Sequence, residues 1–329
     1  MLGKEDLGGG YKAVFLLESG FSAANGTLVP GGAEFGRQAH VGLSGPAGTV
    51  TLGRQYDSIV DYVGVMKAGG DTADGYAGHP GDLDNTGNSY RVNNAIKYTS
   101  TDYRGISFGG VFSPGGIAGD SQRNRIYSFG VGYKQGALAL GAAYLVARNP
   151  NFSYYGNNPV SSVTGSNMAS IPVYSGYASA QTLQTAGAAA AYTFGNATAG
   201  LVYTNVQFSN LGSNTALNPR GLSGKAVFNT LEANFRILPI PAMMVGTSYA
   251  YTRGSQATSG GAGGVTYQQL NVGTEYFLSK RTGVYAVVFG QHASGRDSTG
   301  GNAVAAVYGL TPSSSDTQVA ATVGLRHKF

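Results

Sequence analysis

Apolar and polar residues alternate with a period of two in repeated segments of about ten residues, and a turn follows each segment. In the clearest segment, 265–278, Leu270, Val272 and Tyr276 occupy even positions, whereas Gln269 and Asn271 occupy odd ones. Successive side chains of a β-strand point to opposite faces of its sheet, so each segment has one apolar and one polar face. The pattern predicts an all-β chain of about fifteen strands.

The connections between these segments alternate between short and long. The short ones are 8–10, 45–48, 101–105, 135–136, 195–196, 239–241 and 279–282. The long ones run from about ten to about 35 residues and include the polar segment 149–181. A transmembrane antiparallel β-barrel has short turns at one end and long loops at the other. A soluble β-sandwich has no reason to alternate in this way. We therefore predict one barrel domain over residues 1–329.

Composition limits the alternatives. Charged residues make up 11% of the chain, against about a quarter in soluble domains. No apolar run approaches the roughly 20 residues of a spanning helix, so a membrane form of this chain must be a barrel. The absence of cysteine excludes disulfides and thiolate sites, and the net charge of +5 is too dispersed for nucleic-acid binding.

The longest connection, about 57–89, is rich in glycine and aspartate and is flanked by Arg54 and Arg91. A loop of this length is more often functional or disordered than a plain connector. In a closed barrel it can fold inward and narrow the lumen. We therefore expect this segment to be the constriction loop.

Six short motifs follow one another along the chain: Lys4–Gly10, Leu17–Phe21, Leu52–Tyr56, Val92–Asn94, Tyr276–Thr282 and Val323–Phe329. Together they resemble the motifs of Gram-negative general-diffusion porins of the trimeric betaproteobacterial type. The resemblance implies a 16-stranded barrel, a homotrimer, and an inward-folded third loop. It also implies a multi-pass location in the cell outer membrane, in contact with lipid and lipopolysaccharide.

Members of this family begin with one more strand, which pairs with the carboxy-terminal strand. This chain lacks that strand, so we expect about fifteen strands and an open seam beside the strand that ends in Phe329. Unpaired strand edges in lipid cost several kcal/mol per group. The chain is therefore expected to be a fragment or a truncated gene product rather than a mature porin.

The predicted constriction combines three arginines with three aspartates: Arg37, Arg54, Arg91, Asp57, Asp61 and Asp71. By resemblance, Arg37 and Arg91 match inward arginines, whereas Arg54 is a candidate from its position. Opposed charges would create a transverse field, although each aspartate could equally be a loop residue that faces water. Strict alternation places Arg37 on the face of Val41, and a β-bulge between them would resolve this conflict.

Enzyme functions fit poorly. The four histidines, at positions 40, 79, 292 and 327, have no metal-ligand spacing and are expected to be wall or loop residues. The motif Gly221–Lys225 is neither a nucleophile elbow nor a phosphate loop. No catalytic residue, metal or cofactor is expected.

We predict passive diffusion of small hydrophilic solutes and ions. Neither a dense lysine cluster nor an aromatic ladder marks a specific channel. A mild anion preference is expected from Arg37, Arg54, Arg91, Arg236 and Lys328. The alternative is an outer-membrane adhesin or receptor that binds partners through its long loops.

Overall fold

The computed structural model describes residues 1–29, 31–68, 77–168, 171–255 and 264–329. Its strands are β1 (Leu2–Gly8), β2 (Tyr11–Glu18), β3 (Gly20–Phe21), β4 (Leu28–Val29), β5 (Gln38–Gly45), β6 (Gly48–Gln55), β7 (Val92–Ser100), β8 (Ile106–Ser113), β9 (Ile126–Gln135), β10 (Leu138–Arg148), β11 (Thr182–Phe194), β12 (Ala197–Leu211), β13 (Gly224–Ile240), β14 (Met243–Ser255), β15 (Val265–Phe277), β16 (Thr282–Gly295) and β17 (Thr317–His327). Two short helices are α1 (Ser58–Tyr62) and α2 (Pro150–Ser153).

Fifteen of these strands form one sheet in which each strand pairs antiparallel with the next, and β3 and β4 form a separate two-stranded sheet. The strand number and the antiparallel architecture predicted from the sequence are thereby confirmed. β1 and β17 are the two edges of the large sheet, and no ladder joins them within the described residues.

The alternation in sequence becomes an alternation in exposure. In β15, Gln269 and Asn271 are 1% and 3% exposed, whereas Leu270 between them is 53% exposed. The apolar side chain lies on the outer surface and the polar side chains lie inside, which is the reverse of a soluble sheet and is typical of a barrel in lipid.

Tight turns close the strands at one end of the sheet. Gly136 and Gly195 adopt positive φ angles of 57° and 60° in the two-residue turns 135–136 and 195–196. Two-residue hairpins favour residues that tolerate positive φ, because their twist then matches that of the strands. The short connections predicted from the sequence therefore share one end of the barrel.

At the opposite end, long connections fold against the inner wall. Tyr154 and Tyr174, from the connection between β10 and β11, belong to one buried cluster with Ile59 of α1 and Phe208 of β12. Residues from the connection between β16 and β17, such as Ala306, join the same cluster. The core of this protein therefore lies inside the barrel, between the inserted connections and the wall.

The inserted connections cover most of the barrel interior and leave the inner face of β2 and β5 partly open. The polar inner residues of β12 to β16 are almost completely buried: Thr204, Thr230, Glu232, Ser248, Thr252, Gln269, Asn271 and Gln291. Inner residues of β2 and β5, such as Glu18 and His40, remain partly exposed. Within the described residues, no helix is long and apolar enough to span a membrane.

Candidate functional site

The described residues between β6 and β7, 57–68 and 77–89, fold into the barrel, and we call them the inserted segment. Asp57 is the first of them and caps α1. Its Oδ1 accepts hydrogen bonds from the backbone N–H groups of Ile59 at 2.8 Å and Val60 at 3.2 Å, which caps α1. Its Oδ2 accepts hydrogen bonds from Asn85 Nδ2 and from the hydroxyl of Tyr154, each at 2.8 Å. Burial raises the pKa of Asp57. The carboxyl group is fully buried and does not face open space.

Glycines in the wall let α1 approach the sheet. A Cβ atom at Gly141 of β10 would lie 1.9 Å from the carbonyl oxygen of Tyr62. A Cβ atom at Gly130 of β9 would lie 2.2 Å from Cδ2 of the Tyr62 ring. Contacts this short are impossible for real side chains, so the close packing of α1 requires glycine at both positions.

Asp61 is paired with a cation of the wall. Its Oδ2 lies 2.5 Å from Nζ of Lys97 in β7, which also donates a hydrogen bond to the carbonyl oxygen of Tyr56 at 3.1 Å. Burial raises the pKa of Asp61, and the charge of Lys97 partly offsets that effect. The carboxylate that was expected to oppose the arginines is thus compensated by a lysine.

A buried ionic cluster fastens the far part of the segment to the wall. We call it the His79 cluster, and it consists of His79, Asp84 and Glu232. His79 Nδ1 lies 2.5 Å from Asp84 Oδ2, and His79 Nε2 lies 3.2 Å from Glu232 Oε2 in β13. Glu232 Oε1 also accepts a hydrogen bond from the N–H group of Ala68 at 2.7 Å, and the hydroxyl of Thr204 in β12 donates to Asp84 Oδ2 at 2.5 Å.

The charges in the His79 cluster stabilise one another. Burial alone would lower the pKa of His79, but Asp84 and Glu232 raise it to about 10. The imidazolium in turn holds the pKa of Asp84 below its usual range, against the effect of burial. No spacing pattern in the sequence indicates this cluster, because Glu232 lies about 150 residues after His79 and Asp84.

Arg37 lies just before β5 and turns toward β2. Its Nε donates a hydrogen bond to Glu18 Oε1 at 2.8 Å, and its Nη2 donates to the hydroxyl of Tyr56 at 3.1 Å. The register of β5 with β2 is unbroken from Gln38 to Ser44, so a bulge does not resolve the conflict between Arg37 and Val41. Alternation does not constrain Arg37, because the strand begins after it.

Arg54 and Arg91 are held mainly by neutral groups. Arg54 Nη1 donates to Asn93 Oδ1 at 2.6 Å and to the carbonyl oxygen of Asn157 at 3.0 Å. Arg91 Nη1 donates to the carbonyl oxygen of Ser89 at 2.9 Å, and the residue is 4% exposed. Within the part of the chain that the structure describes, Glu18 is the one carboxylate paired with this arginine group.

Five of the six predicted constriction residues fall into two sets. The three arginines lie together at the ends of β5, β6 and β7, whereas Asp57 and Asp61 lie in and around α1 with other partners. Asp71 lies outside the described residues. Among the residues that are described, no group of three or more His, Asp or Glu side chains could hold a metal ion.

Open space lies between the inserted segment and the short turns. A cavity of about 700 Å³ is lined by Asp61, Tyr62, Lys67 and Arg236, among others. A second cavity, of about 570 Å³, is lined by five cationic side chains and one carboxylate: Arg236, Lys280, Arg281, Arg326, Lys328 and Glu275. The space at the short-turn end is therefore polar and predominantly basic.

Comparison with known protein families gives a match to a family described as Gram-negative porin, over residues 1–295. A curated relative, an outer membrane porin protein of Bordetella pertussis, is 39% identical over 108 residues. That match covers 32% of this chain and 28% of the relative, so the chain matches less than a third of the relative's length.

Solved structures resemble the chain over nearly its whole length. The anion-selective porin from Comamonas acidovorans aligns with a TM-score of 0.67 and 20% identity, over 99% of this chain and 87% of that one. An in-vitro folded OmpT of Vibrio cholerae, described as a trimer form, aligns with a TM-score of 0.60 and 15% identity, over 99% and 89% of the two chains. At these identities the comparison supports the fold.

Proposed function

The chain belongs to the Gram-negative porin family, and from this premise we propose that it forms a water-filled channel in the cell outer membrane. Small hydrophilic solutes and ions would cross it by passive diffusion. The apolar outer face and polar inner face of strands such as β15 support this proposal, because a lipid-embedded channel requires that arrangement. The role is transport, with no catalytic step.

We propose that the segment 57–89 narrows the channel. Its contacts support this role, since Asp61 reaches β7 through Lys97 and Ala68 reaches β13 through Glu232. A segment fixed at both of these strands crosses the interior of the sheet rather than standing above it. The path for solutes then passes Arg37 and Arg54, which are partly exposed.

The channel is expected to prefer anions, and the distribution of charge at the proposed constriction supports this preference. Asp57 is fully buried and hydrogen-bonded, and Asp61 is paired with Lys97, so neither carboxylate opposes the arginines. Arg54 is bonded to neutral oxygen atoms, so no carboxylate among the described residues neutralises its charge. Uncompensated cations beside a narrow aqueous path attract anions and repel cations.

The partners of the chain follow from its location and family. We propose a homotrimer, with outer-membrane lipid and lipopolysaccharide around it; a trimer form is described for the OmpT structure of Vibrio cholerae. Gel migration of unheated and heated samples tests this proposal, because a folded trimer of this kind migrates apart from its unfolded subunits.

The central test is the current through planar bilayers that contain the purified protein. We expect stepwise conductance and an anion-selective zero-current potential across a KCl gradient. Arg54→Gln should shift that potential toward cation selectivity, whereas Arg123→Gln, at an exposed site in a long connection, should leave it unchanged. Folded trimers without conductance would contradict the channel and favour the adhesin or receptor function.

A further inference from the structure

Arg37, Arg54 and Arg91 form the arginine group, and Tyr56 lies between Arg37 and Arg91. Its hydroxyl accepts a hydrogen bond from Arg37 Nη2 at 3.1 Å and donates one to Glu18 Oε2 at 3.2 Å. Its ring packs against Arg91, whose guanidinium carbon lies 5.6 Å from the ring centroid. One neutral side chain therefore contacts two of the three arginines and the carboxylate beside them.

The burial of these groups differs. Tyr56 and Arg37 are partly exposed, and the side chain of Arg37 is 40% exposed, whereas Arg91 is 4% exposed. Nε of Arg91 is buried and has no hydrogen-bond partner within the described residues. Arg91 thus carries a charge and a spare donor that the aqueous path does not reach directly. The ring of Tyr56 lies on its guanidinium, where a cation–π contact is favourable.

We propose that Tyr56 is a specificity-determining residue of the channel, because its ring covers Arg91 and limits the positive charge that a permeating ion meets. This inference rests on the proposed channel function and on the position of the constriction. In this inference Arg37 and Arg54 contact the aqueous path directly, and the ring of Tyr56 separates Arg91 from it.

The inference predicts that truncation of Tyr56 at the pore wall increases anion selectivity, whereas truncation of a wall side chain usually decreases selectivity. Removal of a ring widens the path, and widening alone makes a channel less selective. Removal of the Tyr56 ring also brings the charge of Arg91 into contact with the aqueous path. A unit charge that acts through water at about 6 Å, screened by about 0.1 M salt, raises the local anion concentration and lowers the local cation concentration by about twofold each, so their ratio changes by about three- to fourfold. Selectivity for anions should therefore rise although the path becomes wider.

The experiment measures zero-current potentials in a KCl gradient for the wild-type protein, Tyr56→Ala and Tyr56→Phe. We expect about a threefold rise in the anion-to-cation permeability ratio for Tyr56→Ala, together with higher conductance. Tyr56→Phe keeps the ring and should retain the wild-type ratio. In Tyr56→Ala combined with Arg91→Gln, the gain should disappear. If Tyr56→Ala does not form channels, Tyr56→Leu, which also removes the aromatic ring, replaces it in the same measurement.

The outcomes separate this inference from the proposed function. If the wild-type protein conducts and prefers anions but Tyr56→Ala is unchanged or less anion-selective, the role of Tyr56 is rejected and the channel function stands. The role is also rejected if the gain persists in the double variant, because Arg91 is then not its source. A folded wild-type trimer that does not conduct contradicts the channel itself.

Discussion

Nε2 of His79 lies 3.2 Å from Oε2 of Glu232, and both side chains are fully buried where the inserted segment meets β13. We expect Glu232→Gln to destabilise the protein, because it leaves a buried imidazolium with one carboxylate instead of two. Removal of one partner of a buried pair costs about 3–5 kcal/mol. Denaturant unfolding in detergent measures this loss, and current noise should increase as the segment loosens.

Glu34→Gln is the matched control for Glu232→Gln, because Glu34 is exposed before β5 and undergoes the same chemical change. Surface substitutions of this kind usually alter stability by less than about 0.5 kcal/mol. Equal losses in the two variants would mean that the His79 cluster does not hold the segment to the wall.

The His79 cluster also predicts a dependence on alkaline pH. The pKa of His79 is raised to about 10 by Asp84 and Glu232, so the folded state binds the proton more tightly than the unfolded state. This stability is complete below about pH 6.5 and is lost as the pH rises through 10, at up to about 1.4 kcal/mol per pH unit. Thermal unfolding between pH 6 and 10 measures the decline.

His79→Gln should flatten this pH profile, whereas His292→Gln, at an exposed position of β16, should retain it. At the acid end the sign reverses for Asp84. Its pKa is lowered by the imidazolium, so its contribution is present above the normal aspartate range and is lost as the pH falls. A profile that is unchanged in His79→Gln would contradict the assignment.

A side chain at Gly141 should move the inserted segment away from the wall. Any Cβ atom there would meet the carbonyl oxygen of Tyr62 at 1.9 Å, so α1 must shift toward the aqueous path. We expect Gly141→Val to lower the single-channel conductance and to destabilise the protein by about 1–3 kcal/mol. In Gly290→Ala the new atom lies 3.7 Å from its nearest neighbour, and conductance should be unchanged.

Neutralisation of Asp61 should release the charge of Lys97. The two groups are 2.5 Å apart, and their side chains are 26% and 15% exposed. Asp61→Asn should therefore raise the anion-to-cation permeability ratio by up to about twofold, as expected for a unit charge that acts through water and salt at a distance of about 10 Å. Addition of Lys97→Gln should cancel the gain. A shift toward cations in the single variant would contradict the compensation of Asp61 by Lys97.

The strands and their order were predictable because two physical constraints act along the whole chain. Side chains alternate between lipid and interior with a period of two, and connections at the two ends of the barrel differ in length. The alternation and the connection lengths can both be read from residues that are close together in the sequence. Segment 265–278, for example, was predicted as a strand, and β15 spans Val265–Phe277.

The roles of the acids were not predictable from composition alone. Asp57 was expected to face the arginines, but it caps α1 and binds Tyr154, which lies about a hundred residues further along the chain. Its position before Ser58 and Ile59 was a local signal for a helix cap. The distant partner leaves no local pattern, and the same is true of the contact between His79 and Glu232.

The composition of the connection 149–181 predicts a polar loop, but the structure buries part of it inside the barrel. It carries four tyrosines that become buried inside the barrel: Tyr154, Tyr155, Tyr174 and Tyr177. Their density in a polar segment was the available signal, because large aromatic side chains are rarely left in water in such number.

The uneven burial inside the barrel has a consequence for how such a channel can diversify. Substitutions on the inner faces of β12 to β16 alter a packed interior, so selection on folding restricts them. Substitutions around Glu18, Arg37 and Tyr56 alter partly hydrated groups and change permeability at a smaller cost in stability. Lineages under antibiotic or nutrient pressure should therefore accumulate adaptive changes on one arc of the barrel while the opposite arc stays constant.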